Sequence, residues 1–143
     1  MTASTFTVER ITSVGAAELA TLNAAFSDLH GTLENISAFL ADPNNFLIVA
    51  RLEGRIVGRA TAHLLARIDD ARAEIFINSI DVHRAQRRKG VGRAMLEFLK
   101  ELGRARGASE MWVLAEGRDS NAINFYIATG GDASAATMFD YDL

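Results

Sequence analysis

The chain has 143 residues, 49% of them hydrophobic, no cysteine, and 15 Lys plus Arg against 18 Asp plus Glu, a net charge of −3. That length fits a single domain over residues 1–143 that buries roughly 70% of its unfolded surface. The missing cysteines exclude a disulfide framework, a thiolate nucleophile and a cysteine metal site, and the acidic balance argues against a general nucleic-acid or membrane surface. Residues Met1 to Val8 lack a basic stretch followed by an apolar run, and no segment approaches the length of a bilayer span, so a soluble cytoplasmic protein is expected.

Periodicity lays out the elements in order. Phe6–Ile11 reads as a strand, followed by a helix with Leu19, Leu22, Phe26 and Leu29 on one face and a short second helix around Ile36, Phe39 and Leu40. The only proline, Pro43, falls in a turn, Ala41-Asp42-Pro43-Asn44-Asn45, and no linker or repeat interrupts the chain. Phe46–Leu52 and Ile56–Ala66 are apolar runs joined by a Glu53-Gly54-Arg55 hairpin turn, and Arg67–Ala73 leads into a strand from Glu74 to Val82. A long helix follows with Val91, Met95, Phe98, Leu99 and Leu102 on one face. Ser109–Glu116 reads as a strand, residues 121–126 as a short helix, and Ala136–Leu143, with alternating apolar and acidic residues, as a last strand.

Between the Glu74–Val82 strand and the long helix, Arg84, Arg87, Arg88, Lys89 and Arg93 crowd around Gly90 and Gly92. A helix N-terminus carries unpaired N–H groups and partial positive charge, which disfavours side-chain cations unless an anion binds there. Bare glycine backbone lets that anion approach closely. A basic run alone is more often a solvated turn; the glycine spacing and the strand-to-helix setting favour a phosphate cradle.

Spacing separates three phosphate motifs. A nucleotide-hydrolase loop needs Lys-Ser or Lys-Thr after its last glycine, whereas Gly92 is followed by Arg93-Ala94. A dinucleotide fingerprint needs a small residue where Met95 stands. The remaining pattern, Arg/Gln-x-x-Gly-x-Gly/Ala over Arg87 to Gly92, resembles the acyl-coenzyme-A pyrophosphate loop of the Gcn5-related N-acetyltransferase (GNAT) superfamily. Asn121-Ala122-Ile123-Asn124-Phe125-Tyr126 leading to Gly130 is similar to that family's second signature, although Gly131 stands where the family has Phe. Within it, Ala71 to Ile77, Arg87 to Gly92, Ala115-Glu116 and Met138-Phe139-Asp140 resemble the small aminoglycoside 3-N-acetyltransferase group.

The resemblance implies an α/β (α+β) fold: a mixed, mostly antiparallel sheet of six to seven strands flanked by about four helices. It implies acetyl-CoA as acyl-donor cosubstrate, held by Arg87, Arg88, Lys89, Gly90, Val91, Gly92 and Arg93, by backbone groups of Ile80, Asp81 and Val82, and by Asn121 and Phe125. It also allows a homodimer built through the terminal strands.

Acyl transfer from a thioester to an amine needs a neutral amine, a stabilised oxyanion and a proton for the departing thiolate. With no cysteine and no Gly-x-Ser-x-Gly elbow, direct attack is expected rather than a covalent enzyme intermediate. Tyr126 stands at the position of the family's tyrosine, the general acid to the thiolate; a helix residue packing its ring on the sheet would be the plainer reading without Asn121 and Gly130 around it, and with them the catalytic role is favoured. Glu116 is the candidate base, with Asp81, Glu74 and His83 as rivals. His30, His63 and His83 are too dispersed to suggest a metal site, and none is expected.

The acceptor is expected to be a small-molecule primary amine, with an aminoglycoside as the leading class. Glu34, Asp69, Asp70, Glu116, Asp119, Asp140 and Asp142 would attract such a cation if they converged. Two departures stand against it: Ser79 replaces an Asp of the aminoglycoside group, and the Asp28–Glu34 loop is short and poor in acids. The alternative is a non-catalytic acyl-CoA-binding or regulatory module.

Overall fold

The structure is a computed structural model that describes residues 5–26 and 28–143. Residues 1–4, part of the stretch expected to carry no leader, lie outside it.

One sheet organises the chain. Its strands are β1 (Phe6–Ile11), β2 (Asn45–Leu52), β3 (Arg55–Leu65), β4 (Ala73–Val82) and β5 (Ala108–Val113), side by side in chain order. The first four pair antiparallel and β5 joins β4 in parallel. Helices α1 (Ala16–Ala25) and α2 (Leu33–Ala41) connect β1 to β2, α3 (Val91–Ala105) connects β4 to β5, and α4 (Ser120–Ala128) follows β5. The hairpin turn of β2–β3 is Glu53-Gly54, both at positive φ (51° and 78°), as a two-residue turn between twisted strands requires.

Alternation in the strands separates two cores. Phe46, Ile48, Ala60, Ala62, Ile75 and Ile77 face α3, whose Val91, Met95, Leu96 and Leu99 are buried against them. Leu47, Val49 and Ile56 face the other way, onto Leu22 and Phe26. The long amphipathic helix is thus fastened across the sheet, and its N-terminus lands beside the end of β4.

Four expectations change. The sheet has five strands among the described residues, where six to seven were expected. Ala136–Leu143 forms no strand; residues 131–143 are exposed and without regular structure. Strand β5 ends at Val113, not Glu116, because its one neighbour leaves it: the β4–β5 ladder stops at Ile77 opposite Val113. Helix α1 ends at Ala25 rather than continuing to Leu29, since Phe26 turns to extended backbone (φ −132°) and buries its ring between Arg59 and His83.

Candidate active site

The divergence of β4 from β5 is built by a bulge. Ile77 pairs with Ala62 and Ser79 with Thr61, so Asn78 is left over, and the side-chain alternation shifts by one. Ile80 and Val82 therefore return to the α3 side, where Ile75 and Ile77 also point. Beyond Ile77, β4 continues to pair with β3 but has no strand partner on its other edge among the described residues. The backbone of residues 78–82 consequently faces an open slot on the β5 side.

The slot leads to the start of α3. Gly90 is the N-cap, in the left-handed region at φ 87°, and Arg88 also has positive φ (63°). A Cβ on Gly90 would meet no atom within 4 Å, so space is open in front of it. The first N–H groups of a helix have no acceptor within it, and among the described residues the loop's own backbone bonds are Gln86 N–H to His83 O, Arg87 N–H to Arg84 O and Ala94 N–H to Gly90 O, none of which uses an N–H of residues 88–92. Free N–H donors over open space fit a pyrophosphate, so acetyl-CoA fits the residues present.

The five cations divide by task. Arg87 turns back, its Nε donating to Val82 O at 3.1 Å and its Nη2 lying 3.7 Å from Asp81 Oδ1. Arg93 donates to Ala128 O at 2.9 Å, at the negative end of α4. Lys89 touches Gln86 Oε1 at 3.4 Å, while Arg84 and Arg88 make no ion pair among the described residues. Arg88 and Lys89 are thus the exposed cations nearest the free N–H groups.

Gly92 has a different reason from Gly90. A Cβ there would stand 2.9 Å from the Phe125 ring, so this glycine admits α4 against α3. Phe125 in turn stacks beside Tyr126, ring centroids 5.2 Å apart. Asp119 caps α4 by accepting from Ala122 N–H at 3.0 Å and leaves Asn121 exposed in the first turn. Tyr126 is half-buried, and burial, reinforced by the Asp119 carboxylate, raises its hydroxyl above the ordinary tyrosine value. It therefore keeps its proton throughout the neutral range.

Glu116 lies past the end of β5, exposed in the turn before α4, where its carbonyl accepts from Asp119 N–H. Its rivals are placed differently. Asp81 is partly exposed beside Arg87. His83 donates from Nε2 to Ala25 O and packs edge-on to Phe26, tying β4 to α1. Glu74 is the second residue of β4, eight residues before Val82. At about 3.3 Å per residue it stands some 25 Å from that end.

A polar cavity of about 180 Å³ adjoins the slot on the α1 side, lined by Phe26, Asp28, Asp81, His83, Arg84 and Arg87 among others. Behind it Arg59 is buried (7% exposed), paired with Asp28 at 2.7 Å and set over the Phe26 ring at 4.9 Å. Sequence reasoning passed over Arg59 and Asp28. The signal was there: Arg59, Thr61 and His63 alternate with small apolar residues, marking a polar strip on one face of a central strand. Thr61 and Ser79 hydroxyls meet at 2.7 Å on that strip, and His63 Nδ1 lies 2.8 Å from Asn45 Oδ1.

The seven acids named for a cationic acceptor do not converge. Asp69 and Asp70 sit in the β3–β4 connection, at the other end of β4, each paired with a nearby arginine (Arg67 and Arg72) that lowers its pKa. Asp119 is occupied as a cap, Glu34 is in the first turn of α2, and Asp140 and Asp142 are in the exposed, irregular segment after α4. Among the described residues no three His, Asp or Glu are grouped as metal ligands, and no helix is long and apolar enough to cross a membrane.

Residues 15–130 match the acetyltransferase (GNAT) family. The chain belongs to this family. An uncharacterized N-acetyltransferase in the pepI 3' region of Lactobacillus delbrueckii subsp. lactis is 28% identical to this GNAT chain over 103 residues, 68% of the chain but 57% of that relative's length. Among solved structures, an aminoglycoside acetyltransferase from an uncultured soil metagenomic sample, HMB0005, is 29% identical, with a TM-score of 0.85 over 97% of this chain and 99% of that one. The aminoglycoside N-acetyltransferase AAC(6')-Iy in complex with CoA shares the fold at 16% identity, TM-score 0.80, over 96% and 99% of the two chains. The chain thus has a GNAT-like α+β fold, with a mixed, mostly antiparallel five-stranded sheet and four α-helices among the described residues. Neither solved relative singles out the 3-N aminoglycoside group suggested by the sequence segments.

Proposed function

We propose that this chain is an acetyl-CoA-dependent N-acetyltransferase that moves an acetyl group directly onto a primary amine of a small molecule in the cytoplasm. One observation carries the reading. The β4 backbone is free on one edge beyond Ile77, and that edge runs to the unpaired N–H groups in front of Gly90. An extended acyl-pantetheine arm with a pyrophosphate at its end is the ligand shape that both features would satisfy.

In this reading the N–H groups at the start of α3, with Arg88 and Lys89, hold the pyrophosphate. Residues 80–82 offer backbone groups to the pantetheine arm and polarise the thioester carbonyl, while Phe125 and Asn121 flank it from α4. The acceptor nitrogen bonds to the carbonyl carbon, and its proton passes to Glu116, directly or through water. The C–S bond breaks, and Tyr126, kept protonated by its surroundings, gives its proton to the departing sulfur. Acetyl-CoA supplies the activated acyl group; the chain supplies position, an oxyanion partner and two proton sites.

An aminoglycoside is the leading acceptor class. It is supported by the likeness to HMB0005 at 29% identity, and attack at the 3-N position rests on the sequence segments alone. Asp28 and Asp81 line the cavity beside the slot, and an ammonium group entering there would compete with Arg59 and Arg87 for them. The test is free-thiol release from acetyl-CoA across aminoglycosides, polyamines, amino acids and a lysine-containing peptide. Turnover with one class names the acceptor. Tight acetyl-CoA binding by calorimetry with no turnover on any amine would replace this reading with a non-catalytic acyl-CoA-binding module.

A further inference from the structure

The slot between β4 and β5 opens on both faces of the sheet, and one face is taken. On that side stand α3 and α4, packed together through Gly92 and Phe125. An acceptor amine that reaches the thioester therefore comes from the other face. There α1 and α2 cover β2 and β3, whereas the helix contacts of β4 and β5 are chiefly with α3, on the opposite side. The β4–β5 half of the acceptor face is left without a helix over it.

Three rungs of side chains cross that half in order. Ile75 and Ile77 point to α3, so Glu74 and Phe76 point away from it, and the parallel register sets Glu74 opposite Glu110 and Phe76 opposite Trp112. The Phe76 and Trp112 rings, both partly exposed, meet with centroids 4.5 Å apart, and His63 extends the row, stacked on Phe76 at 6.3 Å and 20°. The row is held from behind: His63 Nδ1 lies 2.8 Å from Asn45 Oδ1, and Phe39 of α2 meets the imidazole edge-on. The third rung, nearest the slot, is the Thr61–Ser79 hydroxyl pair at 2.7 Å.

Aromatic residues side by side on adjacent strands stabilise a sheet by themselves, so the middle rung needs no other reason. The first rung does. Like charges directly opposite each other weaken a sheet. Glu74 has Arg67 at 3.9 Å, but that guanidinium is committed to Asp69, and Glu110 is exposed with no ion pair among the described residues. An ammonium group between the two glutamates would relieve their repulsion, a ring would lie on Phe76 and Trp112, and hydroxyls would meet Thr61 and Ser79. Rungs on one face of a strand repeat about every 6.6 Å, the scale on which rings follow one another in an oligosaccharide.

We infer that Glu74, Glu110, Phe76 and Trp112 form a distal acceptor subsite, which takes a ring of a multi-ring amino sugar whose reacting amine sits in the slot. The inference rests on the acetyltransferase reading for the reacting amine and adds where the remainder of the acceptor lies. These side chains touch no reacting atom. They set affinity, and they choose between acceptors of one ring and of several.

Trp112 is the only tryptophan, so its fluorescence reports on the subsite without acetyl transfer. Titration with kanamycin, which has three rings, is expected to change the emission saturably, while glucosamine, with one, leaves it unchanged at the same concentration. By calorimetry, Trp112→Val should raise the kanamycin Kd about tenfold, whereas Trp112→Phe should keep it within about twofold. Glu110→Gln should raise it about threefold, an effect that fades with added salt. Glu53→Gln, in the exposed β2–β3 turn, measures the general attraction of a polycation to an acidic chain and should change nothing. Acetyl-CoA affinity should be the same in all these variants, which separates loss of the subsite from loss of the fold. A silent Trp112, equal kanamycin affinity in Trp112→Val, or an equal loss in Glu53→Gln would each overturn the inference. With the fluorescence change and the Trp112→Val loss in place, failure of acetyl-CoA to bind would leave the subsite standing and remove the acetyltransferase reading alone.

Discussion

At the scale of single residues, two glycines that look alike in the sequence do different things. Gly90 stands in open space at φ 87° and Gly92 stands against Phe125. Gly90→Val should weaken acetyl-CoA binding at least tenfold by calorimetry, since it strains a left-handed cap and fills the approach to the free N–H groups. Unchanged affinity would remove the cradle. Tyr126 makes a second prediction. Its raised pKa means that the protonated form persists as pH climbs past the ordinary tyrosine value and is lost only above it. Tyr126→Phe should lower kcat by roughly 10²- to 10⁴-fold, the usual range for a general acid, and abolish the alkaline fall of the profile while acetyl-CoA affinity is retained. Glu116→Gln addresses the acid side: the rise of rate with pH should flatten. A profile identical to that of the parent would hand the base role to water or to Asp81.

At the scale of elements, short caps and one bulge position the residues of the candidate site. Asp119 holds the first turn of α4 through Ala122 N–H, and that turn presents Asn121 while the next carries Phe125 and Tyr126. Asp119→Ala should cost about 1 kcal/mol, a fall in Tm of roughly 4 °C, with a larger effect on turnover than so small a loss implies, because the whole α4 face shifts with its cap. Equal turnover would mean that α4 holds its position by the Phe125–Gly92 contact alone. Much of this level was legible beforehand. Phe6–Ile11 has the same ends in sequence and structure, and the long helix begins at Val91 as its apolar spacing indicates. What escaped were the ends of α1 and β5. Both are set by a distant partner, His83 on Ala25 O in one case and the departure of β4 in the other, and periodicity along one segment carries no information about either.

At the scale of the whole molecule, Arg59 joins the layers. Buried in β3, it reaches through the sheet's polar strip to Asp28 and lies on Phe26, so the link between α1 and α2 is anchored where it walls the cavity. The pair is lopsided, because Asp28 is 67% exposed and Arg59 is not. Asp28→Asn leaves a guanidinium without its counter-charge and should cost about 2 kcal/mol in urea unfolding, below the 3–5 kcal/mol of fully buried pairs; Arg59→Met should cost less. The reverse order would mean that Arg59 acts through packing on Phe26 rather than through charge.

The order of the elements, the cluster of glycines and cations at the start of α3 and the family signature on α4 were all legible in the sequence. Each is a local pattern: an apolar period, a glycine spacing, a residue beside a helix start. Only the tertiary structure decided that Asn78 is bulged out, that β4 and β5 part after Ile77, that Gly92 serves packing, that the acids on the β3–β4 connection stand apart from the cleft, and that residues 136–143 have no sheet within their own chain. Those outcomes depend on which surfaces meet across long separations in the chain. Pairing, not propensity, completes a strand.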